Sequence, residues 1–555
     1  MRPQARTTVI ALLTLAATGA QAQLPAAREQ TADQQVLHVL NRLAYGPRPG
    51  DAARVRAMGV DAWIERQLAP ASLPDSGMTT LLAAYPGLVT EPEEISRLYR
   101  EQVAERRRMQ QAGDTAARRM QQAGDTAARR ARNGNGNANG SGAQLNAAIA
   151  DVGMAKLARA VVSERQLHEM MADFWANHFS VSRAKGQTRL YLAHYDRDVI
   201  RAHAMGRFRD LLGAVAQSPA MLFYLDNARS VAAARPLDNA RSVADQARQP
   251  ASARARQQQA NRPRGINENY ARELLELHTL GVDGGYTQQD VQEVARALTG
   301  WTIDPRRGAF LFRPAMHDRA AKTVLGVAMP AGRGIQDGED VLDLLARHPA
   351  TARHIAHKLV VRFVSDSPPP ALVARAAATF TRTDGDITET LRTIVTSDEF
   401  FAQEAWRAKV KTPFELVAST YRALGQVPDS TPRGAQLVAR LGQPIYGRQT
   451  PDGWPDTADE WMNAGAILNR INFGLLAAGG RVPGLRLAEW PAFNEMRDAK
   501  CEMRDARCEM GPRCEMGPRC EMGPRCEMRD ASRPSTSSSL RCSVAACRSR
   551  RGSSS

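Results

Sequence analysis

The hydrophobic positions of residues 23–490 recur mainly at the three- and four-residue spacing of amphipathic helices. A first helix is predicted to begin at Thr31, to carry apolar residues from Val36 to Leu43, and to stop at Gly46. Further helices follow at intervals, several of them opened by a Ser, Thr, Asp or Pro cap. Only residues 310–326 are predicted as short strands or loops. The pattern predicts an all-α protein, a multi-helix globular bundle.

Two Arg-rich segments interrupt this pattern, at about residues 97–143 and 229–264. The first contains the repeat RRMQQAGDTAA, at 107–117 and again at 118–128, and we expect both segments to be long flexible inserts. From residue 491 the pattern ends, and CEMGPR hexamers lead into a Ser/Arg-rich end. Because residues 491–555 have no apolar periodicity, they are predicted to be a disordered low-complexity tail.

The central stretch, residues 267–301, places titratable side chains inside an apolar pattern. A helix is predicted from an Asn267 cap to Gly281. On its helical wheel, Glu273 and His278 fall in the apolar arc but about 140° apart, so they should not touch. Either they are satisfied buried groups that tie helices together, or they are site residues that face a cleft.

Familiar catalytic and metal motifs are missing from the sequence. No G-x-S-x-G occurs, so a serine nucleophile elbow is not indicated. His168 and Glu169 resemble the start of HExxH, but Ala172 stands where the second His is needed. His354 and His357 share a helix face without a third ligand nearby in sequence. We predict no metal site, and the sequence indicates no particular cofactor.

The net charge of +16 is confined to segments outside the helical pattern. Residues 97–132, 229–264 and 491–555 carry all of the excess, which leaves the rest of the chain neutral, so nucleic-acid binding is not predicted. All seven Cys lie at or beyond Cys501. A disulfide framework and any Cys-based site are therefore excluded for residues 23–500.

Residues 1–22 have the pattern of a secretory signal peptide. Arg2 and Arg6 precede an apolar run, and Ala20-Gln21-Ala22 fits a cleavage site. No later stretch reaches the roughly 18 apolar residues of a membrane span. We therefore expect an exported protein, periplasmic or secreted, without a transmembrane segment in the mature chain.

Several distinctive segments follow one another along the chain, including HVLNRLAYGPRPGD (38–51), FWANHFSV (174–181), NENYARELLELHTLGVDGGYTQ (267–288), VARALTGW (294–301), HPATARHIAHKLVVRFVSDSPP (348–369) and KVKTPFEL (409–416). In this order the segments resemble one bacterial family, known as domain of unknown function 1800. The resemblance covers about residues 31–488 and implies an exported, largely α-helical protein whose activity is not established, so it supplies no catalytic residue. The family pattern continues into further helix beyond residue 490, where this chain has repeats.

The matched segments supply the candidate functional residues. Their polar members are His38, Asn41, Arg42, Asn177, His178, Asn267, Glu268, Glu273, His278, His317, Asp318, Lys322, Lys409 and Lys411. Histidines suit a general base, a carboxyl group an acid, and a lysine the stabilisation of charge. The candidate catalytic residues are Glu273, His278, His178 and His317. The candidate binding residues are Asn177, Asn267, Glu268, Arg272, Trp301 and Lys322.

Two classes of function follow from these residues. The first is a hydrolase- or transferase-like site in a polar cleft around the helix NENYARELLELHTLG. The second is a non-catalytic envelope scaffold that binds another exported protein. An enzyme should gather the four candidate catalytic side chains around one pocket. A scaffold should bury them separately and expose an apolar patch.

Overall fold

The computed structural model describes residues 28–123, 141–232 and 265–482. Of these residues 62% are helical, and the described strands form only two sheets of two strands each. The predicted all-α class is therefore confirmed. The predicted signal peptide (1–22), residues 233–264 of the second insert and the tail (491–555) lie outside the described residues.

The described α-helices range in length from three residues (α8) to 32 residues (α5). The first ten are α1 (Ala32–Arg42), α2 (Asp51–Met58), α3 (Val60–Leu68), α4 (Ser76–Leu82), α5 (Pro92–Ala123), α6 (Ser141–Val162), α7 (Gln166–His178), α8 (Leu192–His194), α9 (Phe208–Gln217) and α10 (Pro219–Tyr224). The others described are α11 (Asn269–Glu273), α12 (Gln288–Ala297), α13 (Gln336–Ala346), α14 (Pro349–Phe363), α15 (Pro370–Arg382), α16 (Ile387–Val395), α17 (Pro413–Ala423), α18 (Arg433–Arg440) and α19 (Ala464–Ala478).

Local capping chemistry explains where several helices begin. In a capping box, the first side chain accepts a bond from the N3 backbone while the N3 side chain accepts one from the cap. Pro349, at the first position of α14, adds a fixed φ that suits a helix start. Capping boxes open α1, α12 and α17, through Thr31 with Gln34, Thr287 with Asp290, and Thr412 with Glu415.

Two β-hairpins occupy the region predicted as short strands or loops. Strands β1 (Trp301–Asp304) and β2 (Ala309–Phe312) pair antiparallel, as do β3 (Lys322–Val324) and β4 (Val327–Met329). Leu325 and Gly326 form the tight turn of the second hairpin, with φ of 49° and 79°. Positive φ at both central positions is the geometry that a two-residue hairpin loop needs.

The first predicted insert begins later than the sequence indicated. Helix α5 continues through residues 97–123, and its Arg97 pairs with Glu94 at 2.6 Å and Glu101 at 2.5 Å. Arg, Gln, Glu, Met and Ala are strong helix formers, so the high charge here marks an exposed helix rather than a flexible segment. Residues 124–140 lie outside the described part.

The central helix also departs from its prediction. Helix α11 begins at Asn269, two residues after the expected cap, although the Asn267 side chain accepts a hydrogen bond from the Asn269 N–H at 2.9 Å. A π-helix then runs over Leu274–Thr279, and the Leu280 N–H donates to the Leu275 carbonyl at 2.9 Å. The wider turn changes which side chains the element directs into the core.

Buried ion pairs tie α17 to elements distant in sequence. Glu415 bonds Arg362 of α14 at 2.9 Å, and Arg422 bonds Asp51 of α2 at 3.1 Å. Arg422 also donates to the carbonyl of Gly46, just after α1. These contacts hold the segment that precedes α17 beside α1. No helix among the described residues is long and apolar enough to cross a membrane.

Candidate functional site

Two of the candidate catalytic histidines lie together in the core. His178, at the end of α7, and His278, on the π-helix, are 2% and 0% exposed, and their ring centroids are 6.2 Å apart. The Nε2 atom of His178 lies 3.1 Å from the His278 carbonyl oxygen. Within the described residues, Nδ1 of His178 and both ring nitrogens of His278 have no hydrogen-bond partner.

The surroundings of these histidines keep them neutral. Burial, reinforced by Lys358 and His354, lowers the pKa of His278 to about 3 and holds that of His178 well below its usual range. Phe179 packs edge-on against His278, with centroids 5.1 Å apart. The described residues contain no group of three or more His, Cys, Asp or Glu side chains placed to hold a metal ion. The pair is set in an aromatic core.

Glu273 lies apart from that pair, on a half-buried side of the central helix. Burial and the neighbouring Glu276 raise its pKa, while Arg272 lowers it. Nearby, Arg272 bonds Glu268 at 3.4 Å, and Gln288 of α12 donates to the same carboxylate at 2.7 Å. The Glu268 carboxylate thus links α11 to α12.

His317, Lys322 and Trp301 belong to a different buried group. Asp337 of α13 accepts from Lys322 at 2.6 Å and lies 3.2 Å from Nε2 of His317, and these three side chains are at most 1% exposed. A Cβ on Gly338 would lie 2.4 Å from the Trp301 ring, so only glycine allows this packing. The network fixes the second hairpin to α13 and has no contact with His178 or His278.

Asn177 holds a loop closed over a small cleft. Its Nδ2 donates to the Trp454 carbonyl at 2.7 Å, and its Oδ1 accepts from the Trp454 N–H at 2.6 Å. A Cβ atom added to Gly453, the residue before Trp454, would lie 2.4 Å from the Asn177 carbonyl oxygen. The cleft, called here the Asn177 cleft, has a volume of about 50 Å³ and is lined partly by the ion pair Lys156–Asp173.

A larger cavity, of about 250 Å³, lies between α1 and the segment that leads to α17. It is called the basic cleft because four of its side chains are Arg or Lys. Its described lining consists of Leu37, His38, Asn41, Arg42, Trp406, Arg407, Lys409 and Lys411.

Local sequence explains both walls of the basic cleft. His38, Asn41 and Arg42 are three and four residues apart on α1, so they share one helix face. The opposite wall is irregular backbone between a 3₁₀ turn (Gln403–Ala405) and the cap of α17. Arg407 in this wall has φ of 57°, a strained value for a residue with a side chain.

Carboxylates neutralise only part of the positive charge. Lys409 pairs with Asp366, whereas Lys411 donates to the amide oxygen of Asn41 at 2.9 Å. Arg42 donates to backbone carbonyls, including that of Phe363 at 3.1 Å. Within the described residues, neither Arg42 nor Lys411 forms an ion pair.

Arg407 is likewise without an ion pair in the described part of the chain, and its guanidinium lies 5.2 Å from the centre of the Trp406 ring. Glu415, a buried carboxylate that interacts electrostatically with Arg42 and Lys411, already bonds Arg362 at 2.9 Å and accepts from the Thr412 N–H at 2.8 Å. Asp366 and Glu415 are therefore both engaged.

Burial makes this positive charge costly. It lowers the pKa of Arg42 to about 10 and also lowers the pKa of Lys411, and for both groups a neighbouring Arg adds to the shift while Glu415 opposes it. A charged group whose pKa is shifted in this way gains stability from an opposite charge placed beside it. An anion placed in the cleft would therefore stabilise the charged forms of Arg42 and Lys411.

Sequence reasoning identified several cleft residues as polar members of the matched segments, but it did not select them as a site. His38, Asn41 and Arg42 share one face of α1, but their spacing alone does not show that another part of the chain covers this face. Trp406 and Arg407 were not recognised at all. One feature of the sequence could have indicated the basic cleft. Lys409 and Lys411 lie two residues apart, directly before the Thr412 cap of α17.

Comparison with known proteins identifies a family but no characterised relative. The family described as "Protein of unknown function (DUF1800)" matches residues 38–530, which include both walls of the basic cleft. No curated protein and no solved structure matches the chain. Because the family match spans most of the sequence, the chain belongs to the DUF1800 family of proteins of unknown function.

Proposed function

We propose that this protein is an exported bacterial envelope protein that binds a small anionic ligand in the basic cleft. The observation that carries the proposal is the presence of three cations, Arg42, Arg407 and Lys411, without a carboxylate partner among the described residues around one cavity. Export rests on the signal peptide expected at residues 1–22.

The size and donors of the cleft favour a small ligand. A volume of about 250 Å³ is below the roughly 300–1,000 Å³ of drug-sized ligand pockets. Lys411 donates one hydrogen bond to Asn41, and its ammonium group has further N–H donors. The guanidinium group of the exposed Arg407 forms no ion pair in the described structure. Charge-assisted hydrogen bonds from such groups recognise carboxylate, phosphate and sulfate oxygens.

Titration calorimetry of the full chain at pH 7 with inorganic phosphate and sulfate tests the proposal. We expect saturable binding of at least one anion, weakened about tenfold or more by Lys411→Met, because a charge-assisted bond contributes about 1.5–3 kcal/mol. Arg66→Gln is the matched control, since it removes one exposed charge whose hydrogen bond in the described structure is to Met58. Binding that is absent, or equal in both variants, would refute the proposal.

A second candidate function is the binding of another exported envelope protein through α19. Leu468, Ile471 and Leu475 on this helix are 58%, 55% and 62% exposed. Contiguous exposed apolar side chains of this kind mark interaction surfaces. The double variant Ile471→Glu, Leu475→Glu should have the same melting temperature as the parent protein. It should no longer bind an envelope protein that the parent protein binds. A melting temperature lowered by several degrees would mean that the chain itself covers this face.

The hydrolase- or transferase-like site around the central helix has weaker support. Its strongest feature is the π-helix that carries His278, since such segments recur at functional sites. However, neither the basic cleft nor the Asn177 cleft is lined by Glu273, His278, His178 or His317. Ligand binding is therefore the function that we favour.

A further inference from the structure

The basic cleft is larger than an inorganic anion requires. A water molecule takes up about 30 Å³ of liquid, so a cavity of about 250 Å³ has room for about eight waters. An oxyanion with four oxygens, each about as large as a water, would fill about half of this volume. The other half is left for a second part of the ligand, and the side chains that line it decide the chemistry of that part.

Two of the lining side chains, Leu37 and Trp406, are large and apolar. Neither is among the buried residues of the hydrophobic core, and both are partly exposed. They therefore present apolar surface to the water in the cleft. Displacement of this water by an apolar group of a ligand is favourable, in proportion to the apolar area that the group covers.

The apolar and charged ends of the cleft lie about one helical turn apart on α1. Asn41 follows Leu37 by four residues, which separates the two by about 6 Å along the helix axis. Lys411 lies at the charged end, because its Nζ donates to Oδ1 of Asn41 at 2.9 Å. Trp406 lies at the apolar end, with its ring centroid 6.2 Å from that of His38, the residue after Leu37. One compact ligand can therefore contact both ends.

We infer that the ligand of the basic cleft is an organic anion, with a phosphate or carboxylate group at Lys411 and a compact aromatic group against Leu37 and Trp406. The inference rests on the proposed anion binding and adds an apolar part to the ligand. An aromatic ring suits this end because the guanidinium of Arg407 lies there, 5.2 Å from the centre of the Trp406 ring, and guanidinium groups stack on aromatic faces. An inorganic anion would leave this apolar surface in contact with water.

Two matched pairs of anions test this inference by titration calorimetry of the full chain at pH 7. Phosphate is compared with phenyl phosphate, and acetate with phenylacetate, so that the members of each pair differ by a phenyl group. We expect the phenyl-bearing anion of at least one pair to bind about tenfold or more tightly than its partner, a difference that about two buried methylene groups would supply. The pair that shows the preference identifies the anionic group.

Two variants test where the phenyl group binds. Trp406→Gln and Leu37→Asn each remove apolar surface from one wall of the cleft, so each should reduce the preference for the phenyl-bearing anion. Val427→Asn is the matched control and should keep the preference, since Val427 is a 50% exposed apolar side chain outside the described lining of the cleft. If Trp406→Gln does not fold, Leu37→Asn carries the test, because residue 37 is partly exposed on α1.

Each outcome separates this inference from the proposed function. Equal binding within both pairs would overturn the apolar part of the ligand while anion binding stands, whereas no binding of any of the four anions would refute both. A preference that persists unchanged in the folded cleft variants would also overturn the inference, since the phenyl group would then bind elsewhere. The same holds if Val427→Asn reduces the preference as much as they do.

Discussion

Asp337 is the side chain whose removal should destabilise the protein most clearly. Its carboxylate is the ion-pair partner of Lys322, with 2.6 Å between Nζ and Oδ2, and both side chains are at most 1% exposed. In Asp337→Ala the ammonium group keeps only the carbonyls of Asp318 and Ala320, at 2.5 and 3.1 Å. The variant therefore leaves a buried charge without a counter-charge.

The expected loss is large because the site excludes water. Removal of one partner from a buried ion pair costs about 3–5 kcal/mol. Arg333 also pairs with Asp337, at 3.2 Å, and its second carboxylate partner is Asp340. The matched control is therefore Asp340→Ala, which removes a carboxylate whose side chain is 48% exposed. An exposed pair contributes only about 0–1 kcal/mol. The double variant Lys322→Met with Asp337→Leu removes both charges and should recover most of the loss.

Urea unfolding at pH 7 measures these differences, as the change in midpoint multiplied by a common m-value. Circular dichroism and tryptophan fluorescence should give coincident transitions, which justifies the two-state treatment. We expect the order parent, Asp340→Ala, double variant, Asp337→Ala, from most to least stable. A loss below about 1 kcal/mol for Asp337→Ala would refute the buried ion pair.

Three further predictions follow from other parts of the molecule. The pKa of His278 is about 3 in the folded protein against about 6.5 in the unfolded chain, so the native state binds fewer protons. As the pH falls from 6.5 to 3, the contribution of His278 should lower the free energy of unfolding by about 1.4 kcal/mol per pH unit. The fall should be less steep in His278→Phe, and equal urea curves of the parent at pH 7.5 and 5.5 would contradict this. Asn177→Leu removes both bonds to Trp454, and limited proteolysis should cut near residue 454 faster than in Asn177→Asp, which keeps an acceptor. Osmotic-shock fractionation should recover a mature chain that starts near Gln23, and an unprocessed cytoplasmic chain would contradict export.

Features fixed by neighbouring residues were predictable from the sequence. The capping box of Thr287 and Asp290 and the helix start at Pro349 agree with the Thr and Pro caps expected at helix starts, because each depends on atoms within four residues. The all-α class followed from apolar spacing for the same reason. Family membership also followed, since it rests on ordered segments rather than on tertiary contacts.

Two other features were not predictable from the sequence. The π-helix contains local bonds, such as that from Thr279 Oγ1 to the Leu274 carbonyl at 2.6 Å, but a helical wheel assumes α-helical turns and does not anticipate its wider turn. The basic cleft requires that Lys411 reach Asn41, 370 residues away in sequence. His38, Asn41 and Arg42 share one face of α1, and only the distant segment that covers this face reveals a site.

The anion-binding claim is tested most directly by crystals of the full chain soaked in arsenate, an oxyanion that keeps a hydroxyl at neutral pH. Anomalous scattering from arsenic locates the ion without assumption. The account predicts one strong peak in the basic cleft, with its oxygens within hydrogen-bond distance of Lys411 and Arg42. An empty cleft, or a peak that lies only elsewhere, would contradict it.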